Sequence, residues 1–246
     1  MTATVHDVDI ESTVEGTSPG LRAVIGTPHG SGPWPAVVVL HEAFGAGDEM
    51  RKQVAHLASL GYLAVMPDLF SAGGFRRCIT ATMRALTSGT GTAYSDIEAA
   101  RIFARDNPDS TGVVGVLGFC MGGGFALMTA DTGFSAAAVN YGTMPRDLSA
   151  QVANACPIVA SYGGNDVTLK GAAAKLESAL TSAGVPHDVK EYPGAGHVFM
   201  NELPDGPLLL RPLVRVLGFG PRPEAAADAW RRIDAFFGEH LAGTAR

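Results

Sequence analysis

The chain has 246 residues, 46% of them hydrophobic and 17% charged, which is ample material for a sizeable core. A formal net charge of −6, with no basic cluster beyond pairs such as Arg76–Arg77 and Arg231–Arg232, argues against nucleic acid or an anionic membrane surface as partner. Three cysteines, Cys78, Cys120 and Cys156, show no CxxC spacing; they suggest neither a disulfide framework nor a zinc cluster, and they fit a reducing cytoplasm.

The chain starts with the polar, acid-bearing stretch MTATVHDVDIEST, which does not read as a signal peptide, and no later apolar run approaches the length of a membrane span. TVHDVDI and LRAVIGTP alternate roughly as half-buried strands do and are separated by the turn residues GTSPG. AVVVL (36–40) is continuously apolar, the pattern of a strand buried on both faces. DEMRKQVAHLASLG has helical spacing, with Asp48 as the expected N-cap and Gly61 past the end. YLAVMPD reads as a strand, AYSDIEAARIFARD as a helix, GVVGVLGF as a strand and MGGGFALMTAD as a glycine-softened helix. AAAVNYG and PIVASYG are two further strands; LKGAAAKLESALTSAG is a helix, HDVKEYPG a strand and PEAAADAWRRIDAFFGEHL the closing helix. Repeated strand–helix alternation implies a mostly parallel central sheet with helices on both faces. With no composition break and no internal repeat, residues 1–246 read as a single three-layer α/β domain.

GFCMGG (118–123) sits between a strand and a helix and fits the pattern G-x-nucleophile-x-G, with Cys120 at its centre. Glycines suit a tight turn on which neighbouring chains run too close for larger side chains. The turn lifts the side chain over a helix N-terminus, where backbone N–H groups stabilise a thiolate or an oxyanion. The alternative is a small buried hydrophobe in a packing turn. In this architecture an acid and then a histidine should follow in chain order. Asp166 ends the strand PIVASYGGND, and His197 lies on the glycine loop of VKEYPGAGHVFMN. Taken alone, each is more simply a turn former or a structural histidine; on successive loops of one sheet edge they read as a triad with Cys120. His41 also lies near this edge but precedes the acid. Glu42, after AVVVL, stands where such hydrolases place an oxyanion-hole amide, so that the Ala43 and Met121 N–H groups would bind the developing oxyanion. A solvated loop acid is the plainer reading of Glu42.

LHEAFG, VMPDLF, GFCMGG, GGND and YPGAGHVF occur in an order and spacing that resemble the dienelactone hydrolase family, of the α/β-hydrolase fold. The resemblance spans most of the chain. It implies Cys120 as nucleophile, His197 as base, Asp166 as orienting acid and Glu42 as the partner of the resting thiol, released when substrate binds. A thiol ionises at about 8.5 in isolation, so modest electrostatic help makes it nucleophilic near neutrality. The resemblance also implies two arginines for a substrate carboxylate. Arg76 and Arg77 in GFRRC are candidates for the first, whereas Asn201 stands where the second would lie, with Glu202 beside it.

The expected activity is therefore cofactor-free and metal-free hydrolysis of a small ester or lactone by a cytoplasmic monomer or homodimer, with the substrate shifted toward neutral lactones or small esters. Two rivals are a general carboxylesterase or thioesterase with the same triad, and a non-hydrolytic redox-sensing thiol protein, which would need no ordered triad. The Pro/Leu-rich stretch 202–224 is longer than a connection requires and reads as a lid, a dimer contact or plain surface.

Overall fold

A computed structural model describes residues 3–202 and 220–242 of the chain. Among these residues, β1 (Thr4–Ile10), β2 (Leu21–Thr27), β3 (Trp34–Leu40), β4 (Leu63–Pro67), β5 (Ser110–Phe119), β6 (Ala137–Asn140), β7 (Ile158–Gly163) and β8 (His187–Tyr192) form one sheet in the order β1-β2-β4-β3-β5-β6-β7-β8. The pairs β1–β2 and β2–β4 are antiparallel, and every pair from β4 to β8 is parallel. The helices are α1 (Asp48–Ser59), α2 (Phe75–Ser88), α3 (Thr92–Asp106), α4 (Met121–Met128), α5 (Leu148–Val152), α6 (Ala172–Ala183) and α7 (Pro223–His240).

The continuous apolar runs of the central strands follow from burial on both faces. Val38 of β3 lies level with Val65 and Val116 and faces a core shared with Leu86 of α2, Ile97 of α3, Phe125 of α4 and Leu176 of α6. Val37 and Val39 face the opposite way, onto Val54 and Leu57 of α1 and Trp230, Ile233 and Phe237 of α7. Burying each such side chain contributes about 1.5–3 kcal/mol. The expected α/β-hydrolase architecture, with helices on both faces of a mostly parallel sheet, is what the structure has.

Three local readings change. Asp48 is not the cap of α1: Gly47 occupies that position, and Asp48 and Glu49 instead lie in the first turn, where acids complement the helix dipole. α2 covers a stretch to which the sequence pattern assigned no element, and Arg76 and Arg77 lie in its first turn. The short α5 was not anticipated; Asp147 caps it by accepting from the Ala150 N–H at 3.0 Å. Most of the 202–224 stretch, residues 203–219, lies outside the described residues. Among the described helices none is long and apolar enough to cross a membrane.

The C-terminal ends of β3, β5, β6, β7 and β8 line one edge of the sheet, and α4 is drawn tightly under it. A Cβ on Gly122 would overlap the Leu40 carbonyl at the end of β3. Because that obstacle is backbone, it cannot swing aside. Gly122→Ala should therefore cost about 3 kcal/mol or more of stability. Urea denaturation measures this directly, and a midpoint equal to that of the parent would show that the turn has room to spare.

Candidate active site

Cys120 is the N-cap of α4, one residue past the end of β5, and its φ of 52° lies in the left-handed region that side-chain-bearing residues seldom occupy. The strain is held in place on both sides: the Cys120 N–H donates to the Asn140 carbonyl (3.1 Å), and its carbonyl accepts the first bond of α4, from Gly124 (3.1 Å). The half-buried side chain is thereby lifted off the sheet edge. Met121, the first residue of α4, has an N–H with no intrahelical acceptor.

The structure brings the three expected side chains together. His197 Nε2 lies 3.1 Å from the Cys120 sulfur, and His197 Nδ1 lies 2.6 Å from Asp166 Oδ2. The loops that carry them are tied to each other, Gly164 N–H donating to the Tyr192 carbonyl at 2.9 Å and Asn165 N–H to that of Ala195 at 2.8 Å. Asp166 also accepts from the N–H (2.9 Å) and hydroxyl (2.6 Å) of Thr168. Burial alone would raise the Asp166 pKa, but the bonds from His197 and Thr168 outweigh it and hold the carboxyl below its ordinary value. For His197, burial would lower the pKa, yet the contacts with Asp166 and Cys120 raise it from 6.5 to about 9.

Glu42 is buried just past the end of β3. Asn201 Nδ2 donates to Oε2 at 3.1 Å, and the Tyr141 hydroxyl donates toward Oε1 at 3.4 Å. Two of the carboxylate's contacts are thus with the neutral donors Asn201 and Tyr141, and the thiol meets the imidazole of His197. Asn201 is buried and donates to Glu42. Glu202 pairs with Lys52 on α1 (2.8 Å). Arg76 and Arg77 are exposed on α2; Arg77 lines a surface cleft of about 420 Å³ with Ser18, Leu69 and Arg84.

Sequence reasoning missed Tyr141. It follows β6 with φ 41°, is fully buried, and sets its ring edge-on to His197 with centroids 5.2 Å apart. Its place beside the nucleophile strand, just before Gly142, was the available signal. His41 is not a rival base. Leu69 N–H donates to its Nε2 at 3.1 Å, so Nδ1 carries the proton and donates to the Glu42 carbonyl at 2.7 Å.

A family model described as the dienelactone hydrolase family matches residues 21–241. A carboxymethylenebutenolidase from Rhodococcus opacus is 29% identical over 247 residues, covering 94% of this chain and 90% of that protein. One from Pseudomonas putida is 32% identical over 190 residues, covering 72% and 79%. Among solved structures, a dienelactone hydrolase-like promiscuous phosphotriesterase from metagenomic libraries superposes with a TM-score of 0.81 at 23% identity, covering 98% of this chain and all of that one.

The pKa directions set a pH window for the His197–Asp166 pair. His197, raised, contributes stability fully below 6.5 and loses it as pH climbs through about 9; Asp166, lowered, contributes above 3.8 and loses it as pH falls further. The stability gap between the parent and Asp166→Asn should therefore be largest between about pH 4 and 6.5 and narrow toward pH 9 and above. Denaturation midpoints measured across that range check it, and a gap that does not vary with pH contradicts it.

Proposed function

The chain belongs to the dienelactone hydrolase family of ester and lactone hydrolases, and from that premise we propose that it works through a Cys120–His197–Asp166 triad within one hydrolase domain. The observation that carries the reading is the continuous relay of 3.1 Å and 2.6 Å contacts from sulfur to imidazole to carboxylate. His197 takes the thiol proton, and Asp166 fixes the ring with Nδ1–H toward itself and stabilises the imidazolium.

The thiolate attacks the substrate carbonyl, a C–S bond forms, and the carbonyl π pair moves onto oxygen. The N–H groups of Met121 and Ala43 receive that oxyanion. Collapse expels the alkoxide, which takes its proton from His197 and leaves an acyl thioester; in a lactone, the freed hydroxyl remains attached to the acyl group. Water, deprotonated by His197, then cleaves the thioester, and the thiol recovers its proton from the imidazolium. Glu42 is a fixed buried carboxylate beside this relay, held by Tyr141 and Asn201.

The substrate proposed is a neutral lactone or a small ester rather than a carboxylate-bearing one. Asn201 is uncharged, and its amide donates to Glu42. Phe44, next to Ala43, and Phe75, at the start of α2, are 60% and 44% exposed and give this side of the molecule an apolar character that suits an aryl or alkyl group. Losing an arginine–carboxylate contact costs roughly 1.5–3 kcal/mol, tenfold or more in binding.

Cys120→Ala should abolish turnover of a neutral aryl ester while the fold survives, and Cys120→Ser should lose most activity because a hydroxyl is a far weaker acid than a thiol. Full activity in the serine variant would remove the case for thiolate attack. In a substrate comparison, kcat/KM for small aryl esters should equal or exceed that for a carboxylate-bearing dienelactone; a preference of several orders of magnitude for the anionic lactone would overturn the substrate assignment.

A further inference from the structure

We infer that His41 is a positioning residue of the oxyanion hole, holding the peptide that joins Glu42 to Ala43 so that the Ala43 N–H faces the reacting carbonyl. The inference rests on the proposed thiolate mechanism and extends it to a side chain that takes no part in the triad.

The argument is one of peptide geometry. The Glu42 carbonyl and the Ala43 N–H belong to the same planar trans unit and point in opposite directions. Whatever fixes the carbonyl also aims the N–H. That carbonyl accepts two bonds, from His41 Nδ1–H at 2.7 Å and from the Gly45 N–H at 3.0 Å. His41 is fully buried, so the carbonyl is pulled into the protein and the N–H is turned the other way, toward the sheet edge that carries Cys120. The strand end and α4 are already in contact there, since a Cβ on Gly122 would lie 2.8 Å from the His41 carbonyl. Met121 N–H and Ala43 N–H therefore belong to neighbouring, touching segments.

The ring is itself fixed. The Leu69 N–H, from the loop after β4, donates to Nε2 at 3.1 Å, and Phe70 packs against the imidazole with centroids 5.0 Å apart. That bond requires an unprotonated Nε2, hence a neutral ring with its single proton on Nδ1. Burial lowers the His41 pKa and keeps it neutral, outweighing the opposite pull of the bond to Glu42 and of Asp68, whose Oδ1 lies 4.0 Å away. A buried histidine with both nitrogens committed to backbone groups of two different loops joins the β3 loop to the β4 loop, and the peptide it grips is the one expected to bind the oxyanion.

The test separates oxyanion binding from thiol reactivity. A small aryl trifluoromethyl ketone adds the Cys120 sulfur across its carbonyl reversibly: a C–S bond forms, the π bond breaks, and the oxygen carries the charge that the hole must hold. Iodoacetamide reacts with the same sulfur by displacing iodide and makes no oxyanion. In His41→Phe, which keeps a flat ring and loses both nitrogens, kcat for an aryl ester and affinity for the ketone should each fall about tenfold or more, up to the hundredfold or greater cost of losing an oxyanion donor outright. KM and the iodoacetamide rate should change little. His41→Asn, whose amide nitrogen sits near the place of Nδ1 and can donate to the Glu42 carbonyl, should recover most of the ketone affinity although the Leu69 bond is lost. His41→Leu carries the same arm if the phenylalanine variant does not fold. Unchanged ketone affinity in His41→Phe or His41→Leu with normal alkylation would overturn the role of His41 alone, as would an asparagine variant no better than phenylalanine. A parent protein whose Cys120 neither forms the ketone adduct nor alkylates would overturn the thiolate mechanism together with it.

Discussion

The geometry of this site depends on one backbone constraint, the turn that carries Cys120 in a left-handed conformation at the junction of β5 and α4. Such a conformation costs of order 1–3 kcal/mol and persists only when its surroundings over-determine it. Here they do. The Cys120 N–H is committed to β6, Gly118 and Gly122 lie against backbone that leaves no space for a Cβ, and α4 begins at once. The outcome is a sulfur raised over a helix N-terminus, within reach of an imidazole that arrives from the far side of the sheet edge.

A second constraint follows from burying polar groups beside that sulfur. Glu42, Tyr141 and Asn201 come from the segments that follow β3, β6 and β8 and bond to one another, which offsets part of the cost of burying a carboxylate. The thiol meets His197, and the imidazole meets Asp166. The same strand end that supplies Glu42 carries His41, whose two ring nitrogens lock adjoining loops. Acid, base and oxyanion groups are thus positioned by bonds between loops more than by the regular elements themselves.

Much of this was legible in the sequence because it is local. The apolar run 36–40 and its successors mark strands buried on two faces, and the G-x-C-x-G pattern, Asp166 and His197 fall at strand ends in the order the fold requires. What was not legible is pairing across loops. Nothing in HEAFG shows that Glu42 meets Asn201, 159 positions away, and AAAVNYG reads equally well with Tyr141 as a core aromatic. α2 escaped for a different reason. Its Thr- and Ile-bearing sequence between glycines has weak helical propensity, although Phe75, Ile79, Thr82 and Leu86 recur at helical spacing, and packing against the core supplies what propensity lacks.

The central claim is that the Cys120 sulfur is covalently acylated during turnover. Rapid acid quenching of the protein with a small aryl ester, followed by mass spectrometry of its peptides, tests this directly. The account predicts an acyl mass on the peptide containing Cys120 that hydroxylamine removes and that is absent in Asp166- and His197-substituted proteins too slow to form it. Turnover with no acyl group on Cys120 under conditions in which deacylation is rate-limiting, or with the acyl group on a serine, would contradict it.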